Sequence, residues 1–213
     1  MKDLKLIIPV IVLLLFTILI ENKINTNLQT GDFAFISFKA IQNEGFSIIT
    51  FKEIKPNSTF YFTDSEWNGN RFGKDESTLI WNTGNHTINS GTKINFNNID
   101  TNATASIGEV KNTLKLSKDN EALFAYIGSA PKVPNVFIAA VANQTTSYGT
   151  LLNTGLIDGK TAITYPNNTY QAEYTKEIDI LDKDILTLLN NMSNYSINNS
   201  DSKYLNSKLV STN

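Results

Sequence analysis

The sequence predicts a mainly β protein, a β-sandwich with one amphipathic helix near its C-terminus. Short runs of β-branched and aromatic residues recur along the chain, and clusters of Gly, Asn, Ser and Pro separate them. Such runs suit the pleated surface of a sheet, and many short strands between turn signals are typical of sandwiches and barrels. With 213 residues, of which 41% are hydrophobic, the chain can build one sizeable core.

The first 26 residues predict export. Lys2 and Lys5 precede an uncharged apolar run over residues 6–20, which is the pattern of a secretory signal. The run is shorter than the roughly 20 residues of a full membrane span, and no small-residue cleavage pattern follows it. Residues 1–26 are therefore a signal peptide or an uncleaved membrane anchor, with a buried helix as the alternative. We expect an extracytoplasmic protein, secreted or anchored at the cell envelope, that meets the membrane only through this segment.

Residues 27–30 are a predicted linker, and the folded domain is predicted over residues 31–195. Strands are expected at 31–38 and 46–51, and the turn signal between them predicts a hairpin. Two more strands, 59–63 and 78–81, enclose an acidic loop. Further strands are predicted over residues 88–96, 106–110, 113–116, 122–127, 136–141 and 162–165. The unbroken apolar run at 136–141 is typical of a central strand.

The C-terminal part changes its periodicity. From Ile178 to Met192, apolar residues recur at steps of three and four, which is one face of an amphipathic helix. Aspartates near its start suit the helix dipole. We expect this helix, about residues 178–192, to pack on the sandwich; the alternative is that it binds a partner. The polar residues 196–213 predict a flexible tail.

Composition excludes several classes of function. The chain has no cysteine, so disulfides, thiolate metal sites and a cysteine nucleophile are ruled out. It has one histidine, His86, whose turn context predicts a solvated residue rather than the base of a triad. A net charge of −2 gives no basic excess, so no nucleic-acid partner is expected. No Gly-x-Ser-x-Gly or other catalytic motif is present, and no catalytic residue is assigned.

The acidic loop is the strongest candidate for a site, because it can be aligned with the calcium loop of an EF-hand. Asp64 takes the first position, Gly69 the sixth, where the chain turns sharply, and Asp75 the last. The candidate calcium ligands are Asp64, Glu66, Asn68, Asn70 (through its backbone carbonyl) and Asp75. The alternative is an ordinary solvated hairpin loop in which Asp64 accepts hydrogen bonds from turn amides. Calcium is the only cofactor that the sequence suggests.

Three aromatic residues beside the loop are candidates for ligand binding. Tyr61, Trp67 and Phe72 could stack on sugar rings or anchor a protein contact. Burial in the core is the alternative. Because Trp67 lies between polar residues, we expect it to be exposed. The predicted partner is an extracellular protein or a glycan.

Several segments, in this order, resemble a group of exported bacterial proteins. They are residues 31–38, 46–51, 61–69, 116–117, 123–126, 137–140 and 155–162, of which 61–69 is the most specific. That group is distantly similar to the lamin-tail, immunoglobulin-like β-sandwich, and the resemblance covers roughly residues 31–195. It implies this fold and an extracytoplasmic setting. It implies no catalytic residue.

Two functions follow as expectations. The first is a non-catalytic binding or adhesion module of the envelope, with the loop at 64–75 as its recognition surface; a purely structural envelope role is not separable from it by sequence. The second is a secreted carbohydrate hydrolase, since a pair of carboxylates can cleave a glycosidic bond. Its candidate carboxylates are Asp64, Glu66, Asp75 and Glu76.

Overall fold

The computed structural model describes residues 28–199, in which the strands form two six-stranded sheets. The strands are β1 (Phe33–Lys39), β2 (Gly45–Thr50), β3 (Thr59–Thr63), β4 (Thr78–Asn82), β5 (Lys93–Asn97), β6 (Thr104–Ala105), β7 (Glu109–Lys111), β8 (Ala122–Ala130), β9 (Val133–Ala142), β10 (Ala162–Thr164), β11 (Gln171–Tyr174) and β12 (Tyr195–Asn198). The predicted signal or anchor lies outside the described residues. Within them, no helix is long and apolar enough to cross a membrane.

The first sheet has the order β12-β11-β1-β2-β5-β6, and each neighbouring pair is antiparallel. The predicted hairpin of β1 and β2 is present, with Phe38 opposite Phe46. Because β11 lies between β1 and β12, these two outer partners run in the same direction. Lys39, Gln171 and Asn198 stand side by side across the three strands. The start of β1 and the end of β12 therefore lie at opposite ends of the sheet.

The second sheet has the order β10-β9-β8-β3-β4-β7. Its pairs are antiparallel except for β10 and β9, which run parallel. Because β9 has a neighbour on each side, it fits the central strand predicted for the apolar run at 136–141. The first residues of the domain tie the sheets together: Gly31 N–H donates to the carbonyl of Ile138 in β9 (2.9 Å), just before β1 enters the first sheet.

The core between the sheets is aromatic. Phe62 of the second sheet packs against Phe46 and Phe96 of the first sheet, with ring centroids 4.8 and 5.0 Å apart. Trp81 meets Phe96 edge-on at 5.3 Å. These rings come from alternating positions of their strands, as the strand period requires. The prediction of a mainly β protein made of two sheets is confirmed, in an arrangement consistent with a β-sandwich.

Each sheet also carries an apolar layer on its outer face. On the second sheet, Phe124 and Phe137 are covered by Trp67 and Phe72 from the acidic loop and by Tyr148, which lies in the 3₁₀-helix Thr145–Tyr148. On the first sheet, residues from β1 and β2 pack against the C-terminal part of the domain; the buried members are Ala34, Ile36, Ile49, Ile185 and Leu189. The loops thus extend the core beyond the two sheets.

The helix predicted over about residues 178–192 is much shorter in the structure. Only Ile185–Leu189 is α-helical (α1), and a 3₁₀-helix follows at Met192–Asn194. The reason is local: the side chain of Asp179 accepts a hydrogen bond from Leu181 N–H (2.9 Å), and that of Asp182 from Asp184 N–H (2.8 Å). Such aspartate turns compete with helical backbone bonds. The apolar positions nevertheless place Ile185 and Leu189 on the sheet.

Part of the predicted flexible tail is a strand, since β12 includes residues 196–198. β12 pairs along its whole length with β11, a strand that the sequence analysis missed. The buried Tyr195 hydroxyl is a hydrogen-bond donor with two carbonyl oxygens in range. The carbonyl of Leu189 is 2.7 Å away and that of Phe35 is 3.0 Å away. Residues 196–198 therefore belong to the sheet, and residues 200–213 of the predicted tail lie outside the described part.

Candidate functional site

The acidic loop between β3 and β4 folds as an extension of their hairpin. Trp67 and Phe72 form an isolated antiparallel bridge, and Gly73 N–H donates to the carbonyl of Glu66 (3.0 Å). At the loop tip, which we define as residues 67–72, the Asn68 Oδ1 accepts hydrogen bonds from the backbone N–H groups of residues 70 and 71, both at 3.0 Å. This oxygen stabilises a turn of the kind that Asn favours.

The loop tip is also bound to the segment after β9. The Trp67 indole Nε1 donates to the carbonyl of Leu152 (2.9 Å), and the Asn153 side-chain amide donates to the carbonyl of Gly69 (2.9 Å). Gly69 has a φ of +93°, a conformation that glycine adopts without strain. Both polar and apolar contacts therefore hold the tip against the outer face of the second sheet.

The expectation that Trp67 is exposed is wrong, since only 5% of its surface is accessible. Phe72 and Tyr61 are 4% and 8% exposed. Trp67 packs edge-on against Phe72 and Phe137, in each case with ring centroids 5.0 Å apart. Tyr61 stacks on Tyr126 of the neighbouring strand β8. These rings are occupied by contacts inside the protein, and a ligand would have to displace those contacts to stack on them.

The predicted calcium ligands are divided between two places. Asn68 and Asn70 lie at the loop tip, whereas Asp64 and Asp75 line an open pocket of about 550 Å³ at the base of the loop. Within residues 28–199, no group of three or more Asp, Glu, His or Cys side chains is placed to hold a metal ion. The paired hairpin explains this separation, because it keeps the chain from wrapping round a single point.

We call this pocket the acidic pocket, and five carboxyl groups line it. They are Glu44, Asp64, Asp75, Glu76 and Glu121. Asp64 follows β3, Glu76 precedes β4, Glu121 precedes β8, and Glu44 lies in the turn between β1 and β2. Because β3 is paired with both β4 and β8, Asp64, Glu76 and Glu121 lie at the same end of these three strands.

Asp64 is the most unusual of the five. The residue is 8% exposed, and its Oδ1 is shielded from solvent with no hydrogen-bond partner. Burial, followed by the negative charge of Glu76, raises its pKa to about 7. Backbone N–H groups and the positive charge of Lys132 act in the opposite direction and do not offset the burial. About half of the Asp64 carboxyls therefore carry a proton at neutral pH.

Glu121 is also buried, with 7% of its surface exposed. Its Oε2 accepts a hydrogen bond from Ser117 N–H (2.6 Å) and its Oε1 from Ala122 N–H (3.1 Å). These bonds favour the ionised form, but burial outweighs them and raises the pKa to about 9, with a further contribution from the charge of Asp64. Glu121 is therefore mostly protonated at neutral pH.

The other two shifted groups differ in exposure: Glu44 is buried, with 7% of its surface exposed, whereas Glu76 is exposed. Burial raises the pKa of Glu44, whose Oε2 accepts a hydrogen bond from Leu116 N–H at 2.5 Å. Burial and then the charge of Glu66 raise the pKa of Glu76. Glu66 does not line the pocket, yet it adds to its negative potential. Four of the five pocket carboxyls thus hold their protons more strongly than they would in water.

None of the five pocket carboxyls belongs to an ion pair within the described part of the chain. The ion pairs there join Lys52 to Asp32, with 3.6 Å between Nζ and Oδ2, and Lys118 to Asp119. The Lys132 ammonium, whose charge acts on Asp64 and Glu76, donates to the carbonyl of Gly73 (2.9 Å). Lys115 and Lys118 also line the pocket, and the positive charge of Lys115 acts on Glu44. The five carboxyls are therefore partly offset by nearby lysines, but none of them makes a direct ion pair within residues 28–199.

The sequence analysis found three members of the pocket and missed Glu44 and Glu121. Nothing near these two residues in the sequence distinguishes them from ordinary surface glutamates. One weak signal was available. Glu121 directly precedes the apolar run at 122–127, and a residue at the start of a buried strand is drawn into the interior with it. His86 lies exposed in a turn, as expected.

Comparison with protein-family models, curated proteins and solved structures finds no match to this chain.

Proposed function

We propose that the chain is an exported, non-catalytic binding module, secreted or anchored at the cell envelope, with a lamin-tail or immunoglobulin-like sandwich as its scaffold. In this proposal the acidic pocket, rather than the loop tip, recognises the ligand, and the ligand carries positive charge. The apolar run at 6–20 supports export, and the two packed sheets support the scaffold.

One observation carries the binding role: the Asp64 Oδ1 is buried and has no hydrogen-bond partner. Leaving a buried acceptor unsatisfied costs about 1–3 kcal/mol, and more if the group is charged. Within residues 28–199 the Asp100 Oδ1 and the Tyr165 hydroxyl are also buried without a partner, but of these three groups Asp64 is the one that lines the acidic pocket. A positively charged ligand that donates a hydrogen bond would satisfy the oxygen and neutralise the surrounding carboxyls. Perturbed carboxyls in a cleft are typical of functional sites.

A secreted carbohydrate hydrolase is the second candidate. It is favoured by the pKa values of Asp64, about 7, and Glu121, about 9, because a carboxyl that keeps its proton at neutral pH can act as a general acid. Asp75 and Glu76, which line the pocket and are exposed, would supply the second carboxyl. Glu66, which was also a candidate, lies outside the pocket lining.

Thermal unfolding of the full chain with a series of cations tests the proposal. The series is calcium chloride, n-butylamine and N-acetyl-arginine methylamide at pH 8, each raised to a large excess. A ligand at about 100 times its Kd stabilises by roughly 2.7 kcal/mol, which is a rise in Tm of roughly 5–10 °C. We expect at least one cation to produce such a rise, and Asp64→Asn to abolish it.

Glu173→Gln is the matched control, because Glu173 is an exposed carboxyl on the first sheet, away from the pocket. It should respond like the wild type. If no cation raises Tm, or if Asp64→Asn responds fully, the binding proposal fails. Hydrolysis of oligosaccharides by the wild type, lost in Asp64→Asn, would establish the second candidate instead.

A further inference from the structure

We infer that the ligand of the acidic pocket is a protonated alkylamine, an ammonium group on a carbon chain, rather than a metal ion or a guanidinium. This inference rests on the proposed function and narrows its ligand to one chemical class. The geometry of the five carboxyls and the hydrogen bonds that they already make carry it.

A divalent metal does not fit the pocket. Calcium takes six to eight oxygen ligands at about 2.3–2.6 Å, and magnesium requires a nearly regular octahedron. Both oxygens of Glu121 already accept backbone N–H bonds, and one oxygen of Glu44 does the same. The side chains that surround the pocket come from four separate segments and form no three-membered ligand group within residues 28–199.

A guanidinium is also a poor match. Arginine binds a carboxylate best through two parallel N–H bonds to its two oxygens. Such a fork needs a carboxylate with both oxygens free. Asp75 and Glu76 meet that condition, but they are exposed, and an ion pair in contact with water contributes little. The buried carboxyls do not meet it. Asp64 offers one unpartnered oxygen, since backbone N–H groups of Asp64 and Ser77 already act on its carboxyl. Neither oxygen of Glu121 is free, because each already accepts a backbone N–H bond.

An ammonium matches the arrangement. It carries three N–H donors that diverge, so it can reach oxygens on separate side chains. Asp64, Glu76 and Glu44 come from three separate segments of the chain and line an open pocket of about 550 Å³. That volume admits the ammonium and the first part of its carbon chain. Asp64 itself lines this pocket, and its Oδ1 is the acceptor that is left without a partner.

Binding of this cation is linked to proton release. The negative charge of Glu76 raises the pKa of Asp64, and the positive charge of Lys132 opposes it. The charge of Asp64 in turn raises the pKa of Glu121, and Lys115 and Lys118 also line the pocket. The charges of Glu66 and Asp75 raise the pKa of Glu76, and the charge of Lys115 lowers the pKa of Glu44. An ammonium that enters the pocket favours ionised Asp64, so the proton leaves as the amine binds. Amine binding should therefore release protons near neutral pH.

The test measures the affinity of the full chain for n-butylamine by NMR titration at pH 6 and pH 8. Because the ionised fraction of a group with a pKa of about 7 rises roughly tenfold over this range, we expect about tenfold tighter binding at pH 8. Asp64→Asn should lose binding at both pH values. Glu76→Gln, an exposed change that leaves the buried groups in place, should weaken binding severalfold, and Glu173→Gln should leave it unchanged.

Parallel titrations with calcium chloride and N-acetyl-arginine methylamide separate the outcomes. If calcium or the arginine derivative binds tighter than butylamine and Asp64→Asn abolishes it, the binding module stands and the amine inference is overturned. If no cation binds, both fail. Butylamine binding that is independent of pH, or that survives Asp64→Asn, also overturns the inference.

Two sources could supply the ammonium, a free alkylamine or a lysine side chain of a polypeptide. N-acetyl-lysine methylamide distinguishes them. Tighter binding of this compound than of butylamine would assign the pocket to polypeptide lysine, and weaker binding would assign it to small amines. Either result supports the amine class.

Discussion

The tip and the base of the acidic loop are built from one stretch of sequence, yet they differ in how their polar groups are satisfied. At the tip, the side chains of Asn68 and Trp67 make hydrogen bonds to backbone groups. At the base, Asp64 keeps an unpartnered oxygen, and the carboxyls around it make no ion pair within residues 28–199. The tip is built for stability, and the base retains unfavourable electrostatics.

The difference shows that oxygen-rich residues do not define a site by their density in the sequence. The side-chain oxygen of Asn68 lies next to the backbone N–H groups of its own turn and accepts hydrogen bonds from them. The carboxyl of Asp64 instead meets Glu76 and Glu121, which come from other strands. The neighbours that the fold brings to each oxygen therefore decide whether it can bind a ligand.

The largest effect should come from pH acting on the base of the loop. In the folded state burial raises the pKa of Glu121 from 4.5 to about 9. Its stabilising contribution is therefore complete below about pH 4.5 and is lost as the pH rises to 9, because the unfolded chain releases this proton first. At about 1.4 kcal/mol for each pKa unit, the loss is on the order of 6 kcal/mol.

Urea unfolding of the wild type and of Glu121→Gln at pH 5, 7 and 9 measures this loss. The variant should show a much smaller fall in the free energy of unfolding between pH 5 and pH 9. Gln gives up one acceptor for a backbone N–H, so the slope with pH, rather than the absolute stability, is the test. Glu173→Gln should keep the wild-type slope. Equal slopes in the wild type and in Glu121→Gln would contradict the buried, protonated state.

At the tip, the largest effect should follow Trp67→Ala. Removing a buried tryptophan costs about 3–5 kcal/mol, and here the change also removes the hydrogen bond to the Leu152 carbonyl. Denaturant unfolding at pH 6 measures the loss. Trp67→Phe, which keeps a ring against Phe137 and loses only the indole N–H, should cost distinctly less. A loss below about 1 kcal/mol in Trp67→Ala would mean that the tip is not packed on the sheet.

A smaller effect should follow Asn68→Ala. This change leaves the backbone N–H groups of residues 70 and 71 without their acceptor, and we expect a loss of about 1 kcal/mol because water can replace part of the bonding. Asn70→Ala is the matched control, since Asn70 takes part through its backbone N–H and its side chain is exposed. Equal losses in the two variants would argue against the turn.

The smallest effect should come from calcium. Since the predicted ligands are divided between tip and base, we expect Tm in millimolar calcium and Tm in excess EDTA to agree within about 1 °C, whereas a saturated site would shift it by roughly 5–10 °C. The scan needs no variant. A shift of that larger size, lost in Asp75→Asn, would restore the calcium site.

Local sequence predicted the strands well where side-chain type and environment agree. Strand β3 begins and ends where its β-branched and aromatic run does, at Thr59 and Thr63. The helix prediction failed at Asp179 and Asp182, because their side chains accept hydrogen bonds from nearby backbone N–H groups. These bonds compete with the backbone bonds of a helix, and the spacing of apolar residues carries no information about that competition.

The site was predictable only in part. Asp64, Asp75 and Glu76 stand out in the sequence because they are close together, but Glu44 and Glu121 reach the pocket through strand pairing between distant parts of the chain. Trp67 was misjudged for a related reason. Its polar neighbours at 66 and 68 are exposed while the indole is turned to the sheet, and the alternation that determines this exists only once the loop forms a paired hairpin.

The direction of the first and last strands has a mechanical consequence. Strand β1 begins at one end of the first sheet and β12 finishes at the other, with β11 paired between them. A force that pulls the two ends of the domain apart therefore acts along the strands and across their hydrogen bonds. The bonds on each side of β11 are loaded in shear, so the bonds of one interface must break together rather than one after another. Tension on the chain is therefore shared among several hydrogen bonds at once.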